Sequence, residues 1–234
     1  MPGSNPGGPT LTKPSPWKVL LFIAMKKNLK NIIIDLGGVI INLDYHRTAR
    51  AFQELGISDF DEIYSKAKQS SLFDDFEKGI LSNANFRLKL REYLPSTITD
   101  AEIDLAWNAM LLDIPNNRLQ WLQEVAKKYR IFLLSNTNMI HVKAFTKIAD
   151  DSFGDGVLEA TFEKTYLSCK IGMRKPDAEI FEKVVTDNHL EKEETLFIDD
   201  SIQHIHGAEK VGLPAEWLNI EKGERIEEKY MQLL

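Results

Sequence analysis

Three short runs of nearly unbroken apolar residues stand out along the chain: 31–36 (NIIIDL), 130–134 (RIFLL) and 195–198 (TLFI). Apolarity on both faces is the pattern of a parallel strand covered by helices on each side, whereas a half-exposed strand alternates. Each run ends in polar residues: Asp35, followed by Gly37 and Gly38; Ser135 with Asn136; and Asp199 with Asp200. A further apolar run, 39–43, follows the first glycines, and 165–167 and 215–218 are weaker strand candidates. Around these the spacing turns helical, over 117–129, 140–148, 177–188 and 202–211, the last stopped by Gly212. Alternating strands and helices predict an α/β fold, a doubly wound parallel sheet with a Rossmann-like core. Ligands of such sheets bind beyond the carboxyl ends of the strands, where all three polar clusters fall.

Residues 45–112 interrupt that alternation. Apolar positions recur at helical spacing over 48–55, 57–68, 83–93 and 101–110, punctuated by Gly56, Gly79 and Pro95. Ser82 and Thr99 are suited to cap two of these helices, Thr99 with Glu102 three residues on. The reading is a small all-helical domain inserted after the first strand. The core is then 30–44 with 113–234, the insert 45–112, and 1–29 a disordered tail rich in Gly, Pro and Ser. Within that tail, 19–25 (VLLFIAM) only reaches the lower limit of a signal-peptide apolar region, with no clear A-x-A site after it. Met25 is a second candidate for the initiating residue.

Composition narrows the partners. A net charge of −6 disfavours nucleic acid and anionic membranes, so an anionic ligand must be held by a local positive site. A single cysteine, Cys169, excludes an intramolecular disulfide and sets the expectation of a reducing, cytoplasmic setting. No apolar run approaches the roughly 20 residues of a membrane helix. Oligomeric state is left open.

The polar clusters make chemical sense together. A carboxylate is a weak nucleophile, but beside phosphorus and a divalent cation it can form an acyl phosphate. Hard oxygen ligands suit Mg²⁺. Asp35, Asp199 and Asp200 are the candidate metal-binding side chains, with the Gly37 backbone carbonyl a further oxygen. Ser135 and Lys175 are placed to contact phosphate oxygens, Lys175 also offsetting repulsion between Asp35 and a dianion. Asn136, Gly37 and Gly38 are candidate substrate- or phosphate-binding positions beside them.

With these residues in view, the sequence resembles the haloacid dehalogenase superfamily over residues 30–218. Its four motifs stand in order as IIIDLGGVI around Asp35, LLSNTN around Ser135, GMRKPD around Lys175 and FIDDS around Asp199 and Asp200. The wording of the motifs is most similar to the bacterial α-glucose-1-phosphate phosphatase type, related to the phosphatase domain of soluble epoxide hydrolases. The resemblance implies a magnesium-dependent phosphomonoester hydrolase acting on a small phosphorylated metabolite, such as a sugar phosphate. Asp35 is then the nucleophile, Ser135 and Lys175 the phosphate binders, and Asp200 with Asp199 the metal acids. The helical insert becomes a cap that selects the leaving group.

Two positions depart from the family pattern. Many relatives carry Asp two residues after the nucleophile, as acid and base, where this chain has Gly37. Loss of a general acid/base costs about 10²- to 10⁴-fold, which favours substrates with an acidic leaving group, such as a sugar 1-phosphate. It also keeps open a non-catalytic phosphate-binding protein, or a carbon–phosphorus or carbon–halogen hydrolase. A carbon–phosphorus hydrolase needs a Schiff-base lysine in the cap, for which Lys66, Lys68, Lys78 and Lys89 are the candidates. The second departure is His204, where relatives place an acid. It is either a surface residue, a neighbour of the metal site or a substitute acid. Phe73 and Phe76 read as cap core rather than sugar-stacking residues. Arg47 is a further candidate phosphate or sugar contact.

Overall fold

The computed structural model describes residues 28–57 and 71–234. The tail and nearly all of the helix expected over 57–68, with Lys66 and Lys68, lie outside the described residues.

Five parallel strands form one sheet in the order β3-β2-β1-β4-β5: β1 (Asn31–Ile34), β2 (Arg130–Ser135), β3 (Lys164–Leu167), β4 (Thr195–Asp199) and β5 (Ala215–Trp217). The first strand in sequence is therefore the central one. Side chains alternate across the sheet, as the two-residue period requires. Ile32, Ile34, Ile131, Leu133, Leu196 and Ile198 enter one core. Ile33, Phe132, Leu134, Phe197 and Tyr166 enter the other. Both faces are buried, which is why these segments read as continuous apolar runs. The run 39–43 departs from its strand-like appearance. After Asp35 the chain turns sharply, and this run makes only isolated bridges, Gly37 to Ile41 and Leu43 to Leu111.

The stretch read as the insert contains four described helices: α1 (Tyr45–Glu54), α2 (Leu72–Glu77), α3 (Asn83–Arg91) and α4 (Asp100–Asn108). Asp44 caps α1 and Ser82 caps α3, while Thr99 and Glu102 form a capping box on α4. These helices pack around their own apolar cluster of Phe52, Phe76, Phe86, Leu90, Ile103 and Trp107. Phe76 stacks on Phe86 and Phe73 on Trp107, so both phenylalanines pack within this cluster. The two chain crossings pair with each other: Asp44 N–H donates to Met110 O and Leu112 N–H to Asn42 O.

The remaining helices are α5 (Asn116–Ala126), α6 (Met139–Phe153), α7 (Val157–Thr161), α8 (Ser168–Ile171), α9 (Ala178–Asp187), α10 (Ile202–Lys210) and α11 (Ile226–Lys229). The short helices α7, α8 and α11 have no counterpart in the apolar periodicity, being one turn or little more. Among the described residues no helix is long and apolar enough to cross a membrane.

Candidate active site

The carboxyl ends of β1, β2 and β4 bring the predicted residues together. Asp35 follows β1 directly, and its N–H donates to Ile198 O, which extends the β1–β4 ladder by one residue. Ser135 ends β2, Asp199 ends β4 and Asp200 follows. Lys175 arrives from the loop before α9. Its Nζ is 2.6 Å from Asp35 Oδ1, 2.6 Å from Asp199 Oδ2 and 2.8 Å from the Leu134 carbonyl oxygen. All three donors of the ammonium group are thereby used, as a cation with no solvent exposure demands.

Asn136 holds that lysine in place. Its Nδ2 donates to Lys175 O at 2.8 Å, and its Oδ1 accepts from Lys175 N–H at 2.9 Å. The Asn136 amide is thus engaged with the Lys175 backbone. Ser168 fixes the same loop from the other side, its Oγ accepting from Thr137 N–H and donating to Thr137 O.

Oxygen ligands of Asp35, Asp199 and Asp200 all lie within 4.8 Å of one another. Gly38 makes this packing possible. Its φ is +74°, and a Cβ there would lie 2.3 Å from Asp200 Oδ2. Gly37 faces a softer obstacle, since a Cβ would lie 2.9 Å from the end of the Leu43 side chain.

Three carboxylates against one ammonium leave the centre short of positive charge. Burial raises the Asp35 carboxyl to about 6, against the pull of Lys175 and with a push from Asp199. Burial, followed by Asp35 and Asp199, pushes Asp200 up to about 8. Asp199 behaves oppositely: burial opposes its charge, but Lys175 and His204 outweigh that and hold it below the usual range. Lys175 is likewise raised, burial being overcome by Asp199 and Asp35. A centre in which burial and crowding of negative charge push Asp200 above neutrality is one that a hard divalent cation would neutralise, and oxygen-only donors suit Mg²⁺.

His204 lies beside this centre, with Nδ1 3.0 Å from both Asp199 oxygens. Arg47 is instead half exposed, with Nε 3.5 Å from Asp44 Oδ2. Of the lysines considered for a Schiff base, Lys78 pairs with Asp177 and Lys89 with Glu92. Arg174 was not singled out by sequence. It contacts Asp74 and Glu77 of α2, and its place immediately before Lys175 was the one available signal.

A buried acid cluster thus shares one lysine at the strand ends of a doubly wound sheet. The haloacid dehalogenase-like hydrolase family model matches residues 29–212, and the chain belongs to that family. A D-ribitol-5-phosphate phosphatase of Bacteroides thetaiotaomicron is 34% identical over 184 residues, 79% of this chain and 89% of the relative. A HAD family enzyme from the same organism, solved with magnesium and inorganic phosphate, superposes with a TM-score of 0.76 at 37% identity. That match covers 86% of this chain and 99% of the other. A HAD-like family hydrolase from Porphyromonas gingivalis gives 0.73 at 32% identity, covering 81% and 91%.

Proposed function

We propose that this protein is a magnesium-dependent phosphomonoesterase acting on the phosphate ester of a small sugar or polyol. The observation that carries this reading is the Lys175 ammonium shared between Asp35 and Asp199, with Asp200 packed alongside across Gly38. Asp35 stands buried at a strand end beside a built-in cation, and two further acids lie within reach of a shared metal. The relatives named as a D-ribitol-5-phosphate phosphatase and solved with magnesium and phosphate support the same chemistry.

In the reaction, an Asp35 carboxylate oxygen bonds to phosphorus and the ester P–O bond breaks, the electron pair leaving with the alcohol oxygen. That oxygen takes its proton from water, because Gly37 offers none. Water then hydrolyses the aspartyl phosphate, releasing inorganic phosphate and regenerating Asp35. Lys175 keeps Asp35 ionised and oriented, and the Ser135 hydroxyl contacts a phosphate oxygen. Asp35, Asp199, Asp200 and the Gly37 carbonyl would hold Mg²⁺, whose bound charge offsets that of the phosphoryl oxygens. The helices of residues 45–112 serve as the cap.

The relative's named substrate is a primary alkyl ester, whereas the missing acid at Gly37 favours a sugar 1-phosphate, so both belong in one panel. Phosphate release is measured from polyol phosphates, sugar phosphates and p-nitrophenyl phosphate, with Mg²⁺ or EDTA, for wild type and Asp35→Asn. The expected result is Mg²⁺-dependent release, strongest for a polyol or sugar ester and abolished in the variant. No release from any ester by metal-loaded protein would overturn the reading in favour of a phosphate-binding protein.

A further inference from the structure

The helical insert meets the core along two seams of different construction. On one, α4 lies against α6. Ile140 enters the insert's apolar cluster, His141 stacks on Trp107, and His141 Nδ1 is 3.0 Å from Asn108 Oδ1. On the other, α2 meets the segment 169–177 through charges. Arg174 reaches Asp74 at 2.6 Å and Glu77 at 2.8 Å, and Lys78 Nζ is 3.1 Å from Asp177. Gly79, with φ +68°, lies so close to the core that a Cβ would be 2.2 Å from the Cys169 carbonyl oxygen.

The charged seam adjoins the reacting centre. Arg174 is the residue before Lys175, whose backbone is clamped by Asn136. Glu77 is raised by burial, is pulled down by Arg174 and senses His204, which itself touches Asp199. Yet the pairing is imperfect: Arg174 Nε is buried without a hydrogen-bond partner. These ion pairs keep part of their side chains in water, whereas the α4–α6 seam is aromatic and apolar. The insert is therefore anchored along α4–α6 and only clasped along α2.

We infer that Arg174 is a positioning residue. By clasping α2 it fixes the insert over the Lys175 loop and thereby orients the polyhydroxylated leaving group of the substrate. This rests on the phosphomonoesterase reading. An aryl phosphate, small and with a leaving group that requires little placement, depends less on the clasp than a polyol phosphate does.

The test uses the full magnesium-loaded chain as wild type, Arg174→Ala, Arg174→Lys and the exchange Arg174→Glu with Glu77→Arg. Two quantities are read: backbone amide exchange over residues 72–80, and kcat and KM for a polyol phosphate and p-nitrophenyl phosphate. Arg174→Ala is expected to accelerate exchange in α2 several-fold. It should lower kcat/KM for the polyol ester about 10- to 100-fold, the scale of a misplaced substrate, with a much smaller loss for the aryl ester. Arg174→Lys and the charge exchange should each restore part of both. Unchanged exchange in α2, or equal loss for the two esters, would overturn the inference. Should Arg174→Ala fold poorly, Glu77→Gln probes the same contact. Faster exchange in a protein whose wild type hydrolyses no ester would support the clasp and sink the phosphomonoesterase reading instead.

Discussion

The acid cluster at the strand ends (the floor of the candidate site) and the clasp beside it are both made of carboxylates and cations, yet they are built to opposite standards. On the floor, Lys175 is fully buried, spends all its donors and bridges two acids. At the clasp, Arg174, Asp74, Glu77 and Lys78 remain partly exposed, and Arg174 Nε has no hydrogen-bond partner. The floor resists disruption because an unpaired buried charge is costly. The clasp is cheap to break because water competes for its charges.

The sharpest way to break this comparison is Lys175→Met. Removing one partner of a buried charge cluster costs about 3–5 kcal/mol, so in EDTA the urea midpoint should fall strongly, and phosphate release should vanish. Gly38→Ala comes next. Its Cβ would intrude on Asp200 and its φ would strain, so magnesium affinity measured by calorimetry should drop at least tenfold while the fold survives.

The third test is pH. Asp35 and Asp200 are raised above their unfolded value of 3.8, to about 6 and about 8. Between those values the native metal-free state binds more protons than the unfolded state. These two groups therefore stabilise it at low pH, and that contribution is lost as pH rises through about 6 to 8. Mg²⁺ should replace the protons, so the rise in Tm on adding Mg²⁺ should grow from pH 6 to pH 8.5. A constant increment would contradict the charge deficit described for the floor.

His141, at the anchored seam, has the opposite sign. Burial lowers it from 6.5 to about 3, so it folds neutral. Its contribution is present above about 6.5 and lost as pH falls. With Mg²⁺ saturating, wild type should lose stability between pH 6.5 and 5, and His141→Gln should show a flatter profile. The smallest effect belongs to Lys78→Ala, whose exposed pair should be worth less than about 1 kcal/mol in urea unfolding. A larger loss would mean that the charged seam is no mere clasp.

Much of the floor was legible in the sequence because its residues sit at the ends of strands whose two buried faces announce themselves as apolar runs. Asp35, Ser135, Asp199 and Asp200 need only those runs to be placed. Lys175 needed its motif, since nothing in loop spacing says that it folds back across the sheet. The clasp was not legible. Arg174 and Asp74 are 100 residues apart and both sit in charged surroundings, where local pattern carries no information about partners. The run 39–43 misled for a related reason: burial in the core beneath the sheet makes a turn as apolar as a strand. His204 could be weighed evenly from sequence, and only the packing of α10 beside β4 brings its ring to Asp199.

One consequence follows from the place of β1. The strand that carries Asp35 is synthesised first, yet it is the middle of the sheet, and its two partners begin only at Arg130 and Thr195. During translation the segment 31–34 therefore waits, apolar on both sides, while the helical insert emerges and folds on local contacts. Closure of the sheet depends on pairings across long stretches of chain, which are slow to form. A ribosome-bound nascent chain ending before residue 199 holds a complete insert, but it lacks the acids of the fourth strand. The last two acids of the cluster arrive with β4, which closes the second side of the first strand and leaves only the edge strand β5 to be added.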